Sequence, residues 1–149
     1  MRYFEDLNVG DRYALSGWSV TRAEIQEFAK RWDPQPFHID EMAAKASIFG
    51  GIVASGLHTM GVALRLANRD FFSDTKALGG LGMNEVRIPE PVRPGDTLTG
   101  HLEITRKRRS RSDDSRGIVR INYMLVTIEG KHVLNMSTDV IILSREQSW

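Results

Sequence analysis

The amino-acid sequence predicts an α+β domain in which a curved antiparallel sheet of about five strands wraps a long central helix. Two observations predict it. Residues 56–70, GLHTMGVALRLANRD, form a run of helical period that is apolar over most of its surface. The C-terminal half then changes to strand-like runs separated by short turns. A helix this apolar must be covered on several sides, and a sheet that curls around it does so most economically.

The elements follow in chain order. Arg12 to Ser19 suits an N-terminal strand. Thr21-Arg22-Ala23-Glu24 has the spacing of a capping box, in which Thr and Glu reciprocally satisfy free N–H groups at a helix start. Ile25, Phe28, Ala29 and Trp32 then fall on one apolar helix face. Pro34 ends that helix, because the residue before a proline is pushed out of the α region, and Asp33 is left at the exit with extended backbone. A short helix is expected from Asp40 as N-cap through Glu41 to Ala46, and Gly50-Gly51 breaks the chain after it.

Ser55 caps the central helix, where Leu57, Met60, Gly61, Leu64 and Ala67 keep helical spacing and Val62, Ala63 and Leu66 widen the apolar surface. A strand is expected from Gly82 to Ile88, then the turn PEPVRPGD. Thr97–Thr105, Ile118–Ile128 and His132–Leu143 read as a meander with DDSRG and EGK between them.

The chain has 149 residues, enough for one domain with a real core, and residues 1–149 show no repeat, linker or low-complexity tract. A net charge of +1 gives no overall pull toward nucleic acid or membrane. The absence of cysteine excludes disulfides, thiol catalysis and cysteine metal sites. Histidines 38, 58, 101 and 132 lack ligand spacing, so no metal site is expected. The first twenty residues contain no continuous apolar stretch, and no run approaches the roughly 18 apolar residues of a membrane span. The expectation is a soluble cytoplasmic protein.

The sharpest local feature is Asp33-Pro34-Gln35-Pro36-Phe37-His38. Two prolines stiffen the loop, and a stiff loop carrying a carboxylate and an imidazole suits general acid/base work. By spacing alone the same residues also suit a turn capped by Asp33 beside a surface histidine. Ser55-Gly56 offers free N–H groups and a partial positive charge at a helix start, where an acyl carbonyl could be polarised. It equally suits a plain serine cap with a glycine for close packing. Arg106-Lys107-Arg108-Arg109-Ser110-Arg111 is basic on both strand faces. That pattern fits a solvated hairpin tip, a cluster that attracts the phosphates of a ligand or a nucleic-acid contact. The last lacks interleaved aromatic residues.

The run DPQPFHIDEMAAKASIFGGIVASGLHTM resembles the hydratase signature of MaoC-like proteins, the (R)-specific enoyl-CoA hydratases. That signature is approximately D-x-N-P-x-H-x-D, a small residue and an aromatic, then an apolar-His-Gly helix start. NEVRIPEPVRPGDTL resembles the same family's strand and P-V-x-x-G-D turn. The resemblance implies a hot-dog fold, catalytic Asp33 and His38, and a backbone donor at Gly56. It further implies substrate contacts from Ser55, His58, Phe37 and Phe49, with His58 either lining the acyl pocket or hydrogen-bonded in the core.

The implied reaction is syn hydration of a trans-2-enoyl-CoA, with no metal or redox cofactor, in a homodimer or larger homo-oligomer. Gln35 stands where the family usually has Asn, and Ser55 where many members have His. An acyl-CoA thioesterase and a noncatalytic acyl-thioester binding subunit share the fold. The Asp33 to His38 spacing favours the hydratase, and a binding module needs neither residue.

Overall fold

Five strands pair into one antiparallel sheet in the computed structural model, which describes residues 1–145. The strands are β1 (Arg12–Ser19), β2 (Ala77–Arg87), β3 (Thr97–Arg109), β4 (Arg116–Thr127) and β5 (His132–Leu143), in the spatial order β1-β3-β4-β5-β2. β4 alternates buried and half-buried residues along its whole length, the mark of a strand with one face on the core. Four α-helices lie between β1 and β2: α1 (Arg22–Trp32), α2 (Pro36–Ile39), α3 (Glu41–Ala46) and α4 (Gly56–Asp70). The sheet curves around α4, the hot-dog arrangement.

Val62, Ala63, Leu66 and Ala67 of α4 are buried in one cluster with Leu102, Ile104, Ile121, Tyr123, Leu125 and Met136 of the sheet. Each large apolar side chain buried there contributes about 1.5–3 kcal/mol. Leu15 of β1 and Ile25 of α1 join the same cluster, fixing the entry to the acidic turn that follows α1.

Several expectations need correction. α4 is not buried all round: Leu57 is 54% exposed and Leu64 only half-buried, so an apolar stripe of the helix faces outward. Trp32 is 62% exposed, with the Arg31 guanidinium over its ring, rather than on the buried face of α1. Between Asp33 and His38 the expected loop contains a helical turn, α2. Pro36 stands at its first position, where a missing N–H costs nothing.

β2 starts at Ala77 instead of Gly82, because backbone pairing with β5 overrides a glycine-rich sequence of poor strand propensity. The basic run is not a projecting tip. β3 continues through Arg109, and Arg106 to Arg109 pair with residues 117–120 of β4. The capping box forms by half: the Thr21 hydroxyl accepts from the Glu24 N–H at 3.1 Å, while the Glu24 carboxylate turns to Trp18 and His58.

Candidate active site

Pro34 sets the position of the first functional side chain. Asp33 is the C-cap of α1, at φ −155° and ψ 72°, and donates its N–H to the Ala29 carbonyl at 2.9 Å. The chain then winds through α2, which α1 holds in place through Gln26 Nε2 donating to the Ile39 carbonyl at 2.9 Å. His38, on this turn, is only 4% exposed. Its Nδ1 lies 2.6 Å from the carbonyl oxygen of Val53, in the buried segment that leads into α4. That segment is itself tied down by the Ala54 N–H donating to the Val92 carbonyl at 2.8 Å.

Ser55 joins the two parts. As N-cap of α4 its hydroxyl oxygen accepts from the Leu57 N–H at 3.3 Å, and the same hydroxyl donates to Asp33 Oδ2 at 2.7 Å. His38 Nε2 lies 3.4 Å from that Oδ2. Asp33, His38 and Ser55, spread over 22 positions of sequence, thus meet at one carboxylate. Ser55 is 1% exposed, while the Asp33 side chain keeps 31% of its surface, so the cluster opens on the Asp33 side.

The hydrogen-bond pattern sets the chemistry. A carbonyl only accepts, so His38 Nδ1 carries a proton toward Val53. In the neutral imidazole Nε2 then presents a lone pair beside a carboxylate. A small molecule with two O–H donors, such as water, could engage both acceptors at once.

Gly56 begins the 15-residue helix α4, and no described residue accepts from its N–H. The helix dipole adds partial positive charge at that point. A Cβ on Gly56 would lie 2.4 Å from Ile88 Cδ1, so only glycine fits beneath Ile88 as that side chain stands.

Phe37 and Phe49 gather beside His38. The Phe37 ring meets the His38 ring edge-on at 4.5 Å and the Phe49 ring at 5.4 Å. The Phe49 carbonyl accepts from Arg93 Nη2 at 2.8 Å, which fixes this loop against the turn before β3.

His58 goes elsewhere. Its Nε2 is 3.3 Å from Glu24 Oε2, and its ring stacks on Phe28 at 4.8 Å. Burial holds its pKa below the ordinary value, opposed by Glu24, and Nδ1 is buried without a partner. His58 makes no hydrogen bond to Asp33, His38 or Ser55 among the described residues. Val53, Ile88 and Glu24 carry no chemical signal of these roles in the sequence. Only the capping-box spacing draws attention to Glu24.

The family model described as the MaoC like domain matches residues 8–124. The crystal structure of a MaoC-like dehydratase from Rhodospirillum rubrum is similar over 98% of this chain and 99% of that one, with a TM-score of 0.91 and 36% identity. An (R)-specific enoyl-CoA hydratase from the same species is 28% identical over 108 residues, covering 70% of this chain and 71% of that protein. Protein MaoC of Klebsiella aerogenes is 34% identical over 121 residues, covering 77% of this chain. The chain matches only 35% of that relative's length.

Proposed function

The chain belongs to the MaoC-like domain family, and from that membership and the Asp33–His38–Gly56 geometry we propose that it catalyses reversible hydration of a trans-2-enoyl-CoA to a 3-hydroxyacyl-CoA. The observation that carries this reading is the approach of His38 Nε2 to Asp33 Oδ2 at 3.4 Å, with the other imidazole nitrogen held by Val53. A water donating one hydrogen to each group keeps its own lone pair free to attack the β-carbon. Asp33 takes a proton from the attacking water as the C–O bond forms and the C=C π pair moves to the α-carbon. That same proton is then returned from Asp33 to the α-carbon, with His38 orienting the water and assisting the transfer. The thioester oxygen gains enolate charge as the C–O bond forms, and the Gly56 N–H with the α4 dipole stabilises it. In the reverse direction the same groups expel water. Ser55 acts through Asp33, whose carboxylate it orients.

The chemistry requires neither a metal nor a redox cofactor. The test is to follow the conjugated enone absorbance of a short trans-2-enoyl-CoA together with free thiol. Loss of absorbance without thiol release supports the hydratase. Thiol release would point to a thioesterase, and tight binding without turnover to a noncatalytic subunit.

The protein is further proposed to act as a homodimer. β2 is an edge strand on which Leu78 and Leu81 are more than half exposed, and Leu57 of α4 is 54% exposed. Unpaired strand edges with apolar side chains invite pairing. Light scattering on the purified protein should give twice the monomer mass.

A further inference from the structure

The face of the sheet turned away from α4 carries charges that the hydration chemistry does not use. The basic run of β3 divides between the two faces. Lys107 turns toward the core side, where its Nζ donates to the Phe4 and Leu7 carbonyls at 3.0 and 2.6 Å. Arg109 follows it, with Nη2 3.8 Å from Glu5 Oε1. Side chains alternate along a strand, so Arg106 and Arg108 point outward. Arg120 of β4 points the same way, because Val119 and Ile121 on either side of it are fully buried.

Arg106 stands directly opposite Arg120 in the β3–β4 ladder. Like charges placed opposite one another destabilise a sheet. Asp139, the β5 partner of Arg120, accepts from its Nε and Nη2 at 2.9 and 3.0 Å. Glu85 adds a more distant negative charge toward Arg120. The Arg106 guanidinium has no ion pair or hydrogen bond among the described residues, and that of Arg108 makes only a 3.4 Å bond to the Arg109 carbonyl. All three arginines line one cavity of about 310 Å³, in which Asp139 is the one carboxylate and Leu81 and Ile118 form an apolar wall. Two guanidiniums are thus left without a counter-charge in a concave site.

We propose that this cavity binds a small ligand bearing a diphosphate, at a site separate from the reaction centre. Arg106 and Arg108 lie about 7 Å apart along one strand face, and Arg120 is about 5 Å across the ladder from Arg106. Two linked phosphoryl groups span that triangle better than a single carboxylate. Guanidinium forks also match phosphate oxygens bidentately. The cavity has the size of a small-molecule pocket. It offers no aromatic side chain on which the bases of a nucleic acid could stack. A second copy of the chain placed on this face would set like charge against like. The core lies between this face and α4, with Gly56 at its start. The site stands independently of the hydratase reading.

The experiment is calorimetric titration of the full chain with inorganic pyrophosphate. The wild type should bind one pyrophosphate saturably, and Arg106→Gln should weaken binding about tenfold, the loss of one charge-assisted hydrogen bond at a partly solvated site. Arg111→Gln removes the same charge from the same run, outside the cavity, and should leave the affinity unchanged. Arg106 is exposed and opposes Arg120, so the variant should fold, and pyrophosphate should raise the melting temperature of the wild type more than that of Arg106→Gln. Absence of saturable binding, or equal weakening by Arg106→Gln and Arg111→Gln, overturns the proposal in favour of diffuse surface charge. Binding of single-stranded RNA or of phosphatidylglycerol vesicles without binding of pyrophosphate overturns it as well. So does a rise in KM for enoyl-CoA in Arg106→Gln that matches the loss of pyrophosphate affinity, since the arginines would then belong to the substrate site.

Discussion

Replacing Ser55 by alanine removes one hydroxyl and two interactions. The first is the 2.7 Å hydrogen bond to Asp33 Oδ2. A bond to a charged group contributes about 1.5–3 kcal/mol, and the low end applies because Asp33 is 31% exposed and water can replace the lost donor. The second is the N-cap contact to the Leu57 N–H, long at 3.3 Å. Its loss costs about 0.5 kcal/mol, the lower limit for caps. The sum is about 2 kcal/mol, or a fall in Tm of about 4–8 °C for a chain of this size.

In the proposed mechanism Ser55 orients Asp33 without touching the reacting atoms, so kcat should fall about tenfold with KM nearly unchanged. Melting curves of Ser55→Ala, Asp33→Ala and the double variant give the coupling. In the Asp33→Ala background only the cap remains to be lost, so the coupling energy should be about 1.5 kcal/mol. Additive effects, or a Ser55→Ala enzyme with unchanged Tm and kcat, would refute the claim that this hydroxyl positions the carboxylate.

Three further outcomes are expected. Gly56→Ala should remain folded, because Ile88 is 41% exposed and can swing aside, while misplacing the thioester carbonyl lowers kcat/KM about 10²-fold. Circular dichroism melting beside initial rates checks both parts. His58 has a folded-state pKa below its ordinary value because it is buried. Its contribution to stability is therefore intact above that ordinary value and is lost as pH falls below it through the lowered folded-state value. Denaturant unfolding between about pH 7 and pH 5 should show a steeper decline for the wild type than for His58→Gln, and equal slopes would contradict the assignment. Leu81→Lys on the exposed edge strand β2 should shift light scattering from dimer to monomer mass, since a charge there opposes edge pairing.

Much of the fold was legible because its boundaries carry local chemistry. Thr21, Asp40 and Ser55 each cap a helix with a side-chain oxygen, and the helix starts fall where the sequence sets them. Pro34 likewise stops α1 at Asp33. β2 was only half legible: LGGLG has neither alternation nor strand propensity, and its pairing comes from β5, more than fifty residues away. The extension of β3 through Arg109 was hidden for a related reason, since exposed basic side chains there sit on backbone held by β4.

At the candidate site, the stiff spacing of Asp33 and His38 is written locally, but what arms them is not. The Val53 carbonyl that sets the His38 tautomer is a backbone atom, and no residue identity announces it. The Ser55 bond to Asp33 spans 22 residues and exists only once α1 and α4 meet. His58 shows the converse. Its place on α4 was clear, but its pairing depended on Glu24 abandoning half of a capping box.

The proposed role of Asp33 and His38, joint activation of water for addition to an enoyl thioester, is tested by the steady-state hydration rate of one good trans-2-enoyl-CoA with the wild type, Asp33→Asn and His38→Ala, each shown to be folded. Each substitution should lower turnover by roughly 10²–10⁴, with no CoA released. Near-normal turnover by either folded variant would contradict it.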